Sequence, residues 1–453
     1  MAQSERHGAR AGPAPGAMAL VEAARAVASV TYRGQSADKA LAVFQESPNR
    51  AAVRAITLGT LRWYLRLAPA VDALLERPEK LAPEIHALLV ASAHQIEYSR
   101  NAPELTVHLA VDAARILGRQ NLTGLTNAVL RRFVSARVKL LLSVDESLAG
   151  RTAHPSWLVD EIARAWPADV AAILTAGNVH PPLVLRVDLR RVSVTEYLVK
   201  LADIGMPARE LGWAPAAVEL SRPIAVSDLP GFKDGLISVQ DAGAQLGAVL
   251  LDARAGMRVL DACAAPGGKT GHLLEHTAGL EEVVALDIDQ ARSERIRENL
   301  DRLGRAATLI VADIREPHTF WDGRPFDRIL VDAPCSSTGV VRRHPDIKLL
   351  RRREDIANMA EVQLGILRAC FGMLAPKGRL LYCTCSVLPA ENEAVVTSFL
   401  ASEPGAQAVS MPALDRLPPG AQPRVVGIQL LPGQEAGTDG FYYACLGKTA
   451  IGT

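Results

Sequence analysis

No cysteine occurs before position 263, although the chain has 453 residues and six cysteines in all. That distribution excludes the cysteine framework of small secreted domains and fits reduced thiols in the cytosol. There is no Cys-x-x-Cys pair, and Cys383-Thr-Cys385 is too tight a spacing for an ordinary zinc site, so no metal is expected. Aromatic residues make up only 4%, which excludes base stacking as the main source of binding energy. Apolar runs of about 18 residues are also missing, so no membrane-spanning helix is expected. The N-terminus lacks the apolar stretch of a signal peptide. Residues 1–17 are instead rich in Gly, Pro, Ala and charge, and predict a disordered leader. An excess of either charge sign is absent overall: the formal net charge is +1, which argues neither for nor against a nucleic-acid partner.

Charge is present locally. Residues 51–140 hold twelve Lys/Arg against seven Asp/Glu. From Arg342 to Arg353 six basic residues (Arg342, Arg343, Lys348, Arg351, Arg352, Arg353) face one acid, Asp346. A solvated helix face is the plain reading of either cluster, but the second adjoins a chemical motif described below.

Along the chain, residues 18 to about 142 predict an all-helical region. Apolar residues recur at three and four (Leu20, Ala24, Val27; then Val53, Ile56, Leu61, Leu65), and Pro69, Pro78, Pro83 and Pro103 are expected to break it into a small bundle. Asn127-Ala-Val-Leu130-Arg131-Arg132 ends an apolar face on paired arginines that suit a helix C-terminus. A mixed segment follows, with strands at Leu183–Val187 and Leu236–Val239, and a helix at Val194–Ile204 between them. From about 245, strands alternate with helices: strands Arg258–Cys263, Val283–Asp287, Thr308–Val311, Arg328–Asp332 and Arg379–Thr384; helices Lys269–Glu275, Gln290–Leu303 and Asp355–Met373. This pattern predicts an α/β domain with a doubly wound parallel sheet.

The first strand of that sheet runs into Asp261-Ala-Cys263-Ala264-Ala265-Pro266-Gly267-Gly268-Lys269-Thr270. A strand, a Gly-rich turn and a helix let a nucleotide-like ligand approach the backbone. The spacing is neither that of a phosphate loop nor Gly-x-Gly-x-x-Gly. Asp287 ends the second strand, where a carboxylate can accept from both ribose hydroxyls. Asp313 follows the third, placed to bond an adenine amino group.

The fourth strand ends in Asp332-Ala-Pro334-Cys335-Ser336, the fifth in Thr384-Cys385-Ser386. Ligands in such sheets sit at the carboxyl ends of strands, so both thiols fall on the functional edge. Cys263, Cys370, Cys383 and Cys445 fit apolar patterns and read as structural. Two strand-end thiols suit methylation at carbon 5 of cytosine, which is too poor a nucleophile to react unaided. A thiolate adding at carbon 6 makes carbon 5 nucleophilic; afterwards the proton on carbon 5 and the thiolate must both leave. The attacking thiol needs a lowered pKa. Asp332 can bond the N3/N4 edge of the base, and Lys269 can orient cofactor or base.

Taken together, Asp332-Ala-Pro-Cys335-Ser, Thr-Cys385-Ser with Glu391-Asn392, and Cys263-Ala-Ala-Pro-Gly-Gly-Lys269 resemble the RNA 5-methylcytosine methyltransferases, specifically the bacterial 16S ribosomal RNA branch of the RsmB (Sun/Fmu) type. Gly339-Val-Val-Arg-Arg-His344-Pro-Asp-Ile-Lys348, Asp439-Gly-Phe-Tyr-Tyr443, Val239-Gln-Asp-Ala242 and Pro230-Gly-Phe232 are close to its pattern, and the helical region is similar to the NusB antitermination-factor domain. The resemblance covers nearly all of the chain beyond the leader. It implies a Rossmann-like class I S-adenosylmethionine-dependent methyltransferase domain preceded by an all-α NusB-like domain. The implied boundaries are a leader at 1–17, the RNA-binding helical domain at 18–145, a linker and small mixed subdomain at 146–240, and the methyltransferase domain at 241–450. Cys385 would be the nucleophile and Cys335 would assist release of the methylated base. Cys263 to Lys269, Asp287, Asp313 and Asp332 would line the pocket for S-adenosylmethionine and base. Arg342, Arg343, His344, Lys348, Arg131 and Arg132 would hold the RNA, whose backbone contacts position without specifying sequence. The implied substrate is 16S ribosomal RNA at cytosine 967, with the enzyme a cytoplasmic monomer. Cys383 departs from a more usual alanine, and His180-Pro-Pro from a more familiar Arg-Pro-Pro.

Three other readings remain open on the residues alone. A tRNA or other RNA could be the substrate. A DNA-type cytosine enzyme would swap the roles of the two cysteines. A non-catalytic RNA-binding factor would not need S-adenosylmethionine.

Overall fold

A computed structural model describes residues 16–411, 417–435 and 437–449 of the chain. It divides into two compact units: Met1–Asp160 with Val341–Arg351, and Glu161–Val340 with Arg352–Thr453. The predicted leader lies outside the described residues except for its last two, and Ala17 already opens a helix, Ala17–Arg33.

The first unit is helical. Its main helices are Ala17–Arg33, Arg50–Asp72, Pro83–Tyr98, Pro103–Ile116 and Thr123–Val144. Pro83 and Pro103 start helices, where a missing N–H costs nothing. Pro69 does not break the bundle as predicted; it sits in the last turn of Arg50–Asp72, and the helix runs on only three residues beyond it. Pro83–Tyr98 buries an unbroken run from Ile85 to His94, the mark of a helix enclosed on all sides. Small residues of Ala17–Arg33 (Ala24, Ala26, Val27) pack the same core. The segment Val341–Arg351 belongs to this unit by its packing: Leu349 and Leu350 lie against the helical core, and Asp346 accepts from the Ala37 N–H.

The second unit holds two sheets. The smaller is antiparallel, in the order β2-β3-β1-β4, built from β1 (Leu183–Val187), β2 (Ala208–Leu211), β3 (Ala214–Leu220) and β4 (Ile237–Val239). The hairpin of β2 and β3 was not foreseen, because its Ala-rich stretch carries little strand signal. Helix Val194–Asp203 opens on a capping box in which Ser193 and Glu196 satisfy each other's backbone. Its Val194, Tyr197 and Leu201 join the core of the small sheet.

The larger sheet comprises β5 (Arg258–Asp261), β6 (Glu282–Asp287), β7 (Thr308–Val311), β8 (Phe326–Asp332), β9 (Leu374–Thr384), β10 (Ala406–Ala408), β11 (Gln422–Pro423), β12 (Ile428–Leu430) and β13 (Phe441–Lys448). The order is β11-β12-β13-β9-β8-β5-β6-β7, with β10 also pairing β13. It is parallel from β7 to β9 and antiparallel beyond β9. Alternate residues feed different cores: Leu260, Val284, Ile329 and Leu380 pack with Ile366, Leu367 and Phe399, while Val259, Val283, Leu330 and Leu381 pack with Leu246, Leu250 and Leu273. Period-two burial on both faces is what helices on both sides of a sheet require. The carboxyl ends of β5, β6, β8 and β9 are thereby brought side by side.

Candidate functional site

Asp332 pairs in register with Cys383, so the turns leaving β8 and β9 start level and run next to each other. Cys335 Sγ and Cys385 Sγ come within 3.5 Å. Cys335 is buried and Cys385 half-buried. The Cys335 S–H, donating to Cys385, holds the Cys385 thiol below its ordinary range, against burial, with help from the Ser337 hydroxyl and the Lys269 charge. That same bond, burial, and the charges of Cys385 and Glu391 push Cys335 well up. The pair is therefore unequal: Cys385 is the thiol that ionises more readily, and Cys335 the one that holds its proton more tightly. A thiolate in this position is a competent nucleophile.

Close approach of the turns is permitted by Gly339, whose N–H donates to the Cys385 carbonyl at 2.9 Å. A Cβ there would strike Gly440 O and Cys385 O. Lys269 Nζ lies 2.5 Å from Asp332 Oδ2. Burial works against the ammonium, but Asp332 more than compensates and keeps it charged. Cys383 donates to Asp332 Oδ1 from 3.5 Å, and burial raises that thiol well above its usual value. Four of the predicted reacting groups (Cys385, Cys335, Asp332, Lys269) are thus held together.

The Gly-rich turn follows β5. Gly267 sits at φ +93°, where a side chain is disfavoured, and begins helix Gly268–His276. Asp287 at the end of β6 is buried and braces the turn: its Oδ2 accepts from the Ala265 N–H and its Oδ1 from Asp289 N–H. Asp261 is fully buried, with Oδ2 accepting from Thr270 at 2.7 Å and Oδ1 without a partner among the described residues. Burial pushes its pKa up to about 7, countered by the Thr270 bond. An unsatisfied acceptor beneath a braced Gly turn fits a bound cofactor with hydroxyl or amine donors. Burial raises the Cys263 thiol well above its usual value. Asp313 lies at the same edge, engaged by Arg315 through both oxygens.

The basic run splits. His344 is exposed and Arg343 half-buried, but Arg342 and Lys348 are buried. Lys348 Nζ donates to the Arg62 carbonyl at 2.8 Å, and burial with the Arg62 charge pushes its pKa far down. Arg62 in turn donates to the Arg342 carbonyl. Two of the six predicted RNA contacts therefore sit inside the helical unit, because Leu349 and Leu350 hold the segment Val341–Arg351 against its core. Arg131 and Arg132 are exposed on helix Thr123–Val144.

Sequence reasoning missed the polar frame behind the thiols. Glu391, Asn392, Gln429, Ser336 and Ser386 are all buried and mutually bonded. Glu391-Asn392 stood in the motif, but only a fold shows that the pair points inward. A second missed element is Arg186, wholly buried on β1, which pairs with Glu275 and donates to the Gly268 carbonyl of the cofactor turn.

Three families match the chain: residues 19–135 the NusB family, residues 154–227 an RsmF/B-like ferredoxin-like domain, and residues 248–447 the 16S rRNA methyltransferase RsmB/F family. The last is a family of S-adenosylmethionine-dependent methyltransferases. Among known proteins, the chain is similar to ribosomal RNA small subunit methyltransferase B of Pseudomonas syringae pv. tomato, 45% identical over 89% of this chain and 90% of that protein. The Pseudomonas putida protein of the same name is 44% identical over 94% and 98%. Of solved structures, PH0851 superposes with a TM-score of 0.79 at 22% identity, covering 94% of this chain and 99% of that one, a likeness of fold. A methyltransferase homolog from Pyrococcus horikoshii gives 0.57 at 27% identity, over 66% and 97%. No helix among the described residues is long and apolar enough to cross a membrane.

Proposed function

The chain belongs to the ribosomal RNA small subunit methyltransferase B family, and from that premise we propose that it methylates carbon 5 of a cytosine in 16S ribosomal RNA through a covalent bond between Cys385 and carbon 6. The observation that carries this reading is the 3.5 Å pairing of a thiol with an ionisable thiol at the carboxyl edge of the sheet. A methyltransferase acting on an amine would have no use for it.

In this mechanism the Cys385 thiolate adds to carbon 6 and delivers its electron pair into the ring, making carbon 5 nucleophilic. S-adenosylmethionine, held by Cys263 to Lys269 with Asp287 and Asp313, supplies the methyl group when bound. The buried acceptor of Asp261 and the left-handed Gly267 fit such a ligand. Asp332, clamped by Lys269, accepts from the N4 amino group at the N3/N4 edge of the base, and the Lys269 ammonium beside it offsets the negative charge that builds in the ring. After methyl transfer the carbon 5 proton passes to a base, with water as its final acceptor, and the electron pair left behind expels Cys385 as a thiolate; Cys335 assists this release. The target base must leave its stack, because carbon 6 is closed to attack within a helix. Exposed Arg131, Arg132 and His344, with half-buried Arg343, are the cations we assign to the RNA backbone. The enzyme would act as a monomer in the cytoplasm, on cytosine 967 by family resemblance.

Bisulfite sequencing of ribosomal RNA from a strain lacking this protein tests the reading. Loss of one protected cytosine in the 16S RNA is expected. An unchanged 16S profile with a lost site in tRNA would replace the substrate, and an unchanged profile throughout would refute the reading.

A further inference from the structure

Glu391 lies in a turn, Pro389–Glu391, six residues beyond Cys385, and none of its atoms is exposed. Its Oε1 accepts from the Ser336 N–H at 2.7 Å. Its Oε2 accepts from the Ser336 hydroxyl at 2.5 Å and from the Ser386 hydroxyl at 2.7 Å. Ser336 directly follows Cys335, and Ser386 directly follows Cys385. We propose that Glu391 is the positioning residue of the reaction: one carboxylate ties the two cysteine turns together and so sets the distance between the two sulfurs. This rests on the reading of Cys335 and Cys385 as the reacting pair.

The surrounding bonds support the assignment. Thr338 Oγ1 stands 3.2 Å from the Ser336 hydroxyl and 3.0 Å from that of Ser386, closing a ring of three hydroxyls around the carboxylate. The Tyr382 hydroxyl donates to the Glu391 carbonyl at 2.7 Å, and Gln363 donates to the Pro334 carbonyl at 2.8 Å, so clamp and turn are each held from behind. Asn392 adds a second tie, donating to the Ser386 carbonyl and to Gln429. A carboxylate is an expensive group to bury. Burial raises its pKa, while its donors from Ser336, Ser386 and Gln363 pull the other way. Both serine hydroxyls donate inward to one carboxylate oxygen, which fixes their direction; an amide in its place offers one acceptor and an NH2 group that can only donate. Its charge also disfavours ionisation of Cys335, and a protonated Cys335 is the donor that Cys385 needs. The other charged or titratable groups acting on the pair are Asp332 and Lys269.

Glu391→Gln in the full chain tests the proposal. Gln keeps the volume and one acceptor, but reverses one side of the clamp. Iodoacetamide alkylation of Cys385 and Cys335, followed peptide by peptide against pH, reads the pair without any RNA. The Cys385 midpoint is expected to move upward and its lead over Cys335 to shrink. In methylation assays kcat is expected to fall by about tenfold or more, in line with the cost of a displaced reacting group, while KM for S-adenosylmethionine stays within about twofold. An alkylation profile identical to wild type overturns the proposal. So does a loss of kcat matched by an equal loss of cofactor affinity, which would indicate general loosening. Should the variant fail to fold, Ser386→Ala removes one donor and is expected to shift the profile the same way by less; no shift there overturns it equally. If the wild-type chain methylates no cytosine, the proposed reaction fails, yet the alkylation readout still decides the role of Glu391.

Discussion

Cys335 Sγ and Cys385 Sγ stand 3.5 Å apart on turns separated by 50 residues of sequence. The contact is unequal. Cys335 is the more buried and its thiol is raised, while Cys385 is nearer solvent and its thiol is lowered, so Cys385 gives up its proton the more readily of the two. Adjacent parallel strands bring the two turns level, and glycine at 339 lets them close. The asymmetry assigns different tasks to residues that look alike in the sequence.

Removing each thiol separates those tasks. Cys385→Ala is expected to abolish methylation and to form no covalent bond with RNA. Cys335→Ala is expected to retain attack but lose release, so a protein–RNA adduct that survives denaturing electrophoresis should accumulate. An active Cys385→Ala variant would reverse the assignment and make Cys335 the nucleophile.

The thiolate also has a pH signature. The lowered pKa of Cys385 means a larger ionised fraction near neutrality, and only the thiolate reacts with iodoacetamide. Cys335→Ala withdraws the S–H donor, so the Cys385 pKa should rise and its alkylation near pH 7 should slow. At pH above both values the two proteins should react alike. A pH profile unmoved by Cys335→Ala would show that the sulfur contact does not tune Cys385.

Much of this edge is legible in the sequence. Strand endings at Asp287 and Asp332 follow from apolar runs closed by turn residues, while the first strand stops at Asp261, two residues short of the expected Cys263; the paired thiols follow from their motifs. The strand Phe441–Lys448 was not recognised, because a lone apolar run after a long irregular stretch does not declare which neighbour it pairs with. It lies beside β9, antiparallel and almost wholly buried. Lys348 and Arg342 misled for a different reason. A linear charge run carries no information on which members face inward, and here Leu349 and Leu350 hold the segment against the helical core. The inward carboxylate of Glu391 was equally invisible, since glutamate is ordinarily a surface residue.

Arg186 links the small sheet to the cofactor turn. Its guanidinium is fully buried, bonded to both oxygens of Glu275, to Gln240 and to the Gly268 carbonyl. Breaking a buried pair from one side leaves a charge without its partner and costs about 3–5 kcal/mol. Arg186→Ala should therefore lower stability by that order in denaturant unfolding and raise KM for S-adenosylmethionine, because Gly268 loses its anchor. The double change Arg186→Met with Glu275→Leu should recover most of the stability but not the cofactor affinity. Equal cofactor affinity in all three proteins would show that the turn holds its shape without Arg186.

The last prediction concerns RNA. Each phosphate neutralised by a cation contributes a slope of about −0.9 to the dependence of log K on log salt for duplex DNA and about −0.7 for single strands. Arg131 and Arg132 are exposed and project from one helix, so replacing either with Ala should weaken binding of 16S RNA fragments and reduce the salt slope by about 1. Lys348 should behave otherwise. Its ammonium is 2% exposed and bonded to a backbone carbonyl within the helical unit, and burial disfavours its charge. Lys348→Met should leave the salt slope unchanged and alter thermal stability instead. Fluorescence anisotropy titrations at several salt concentrations distinguish the two kinds of residue. A fall in slope for Lys348→Met as large as that for Arg131→Ala would mean that this lysine leaves its burial site to meet the RNA, and that the helical unit rearranges on binding.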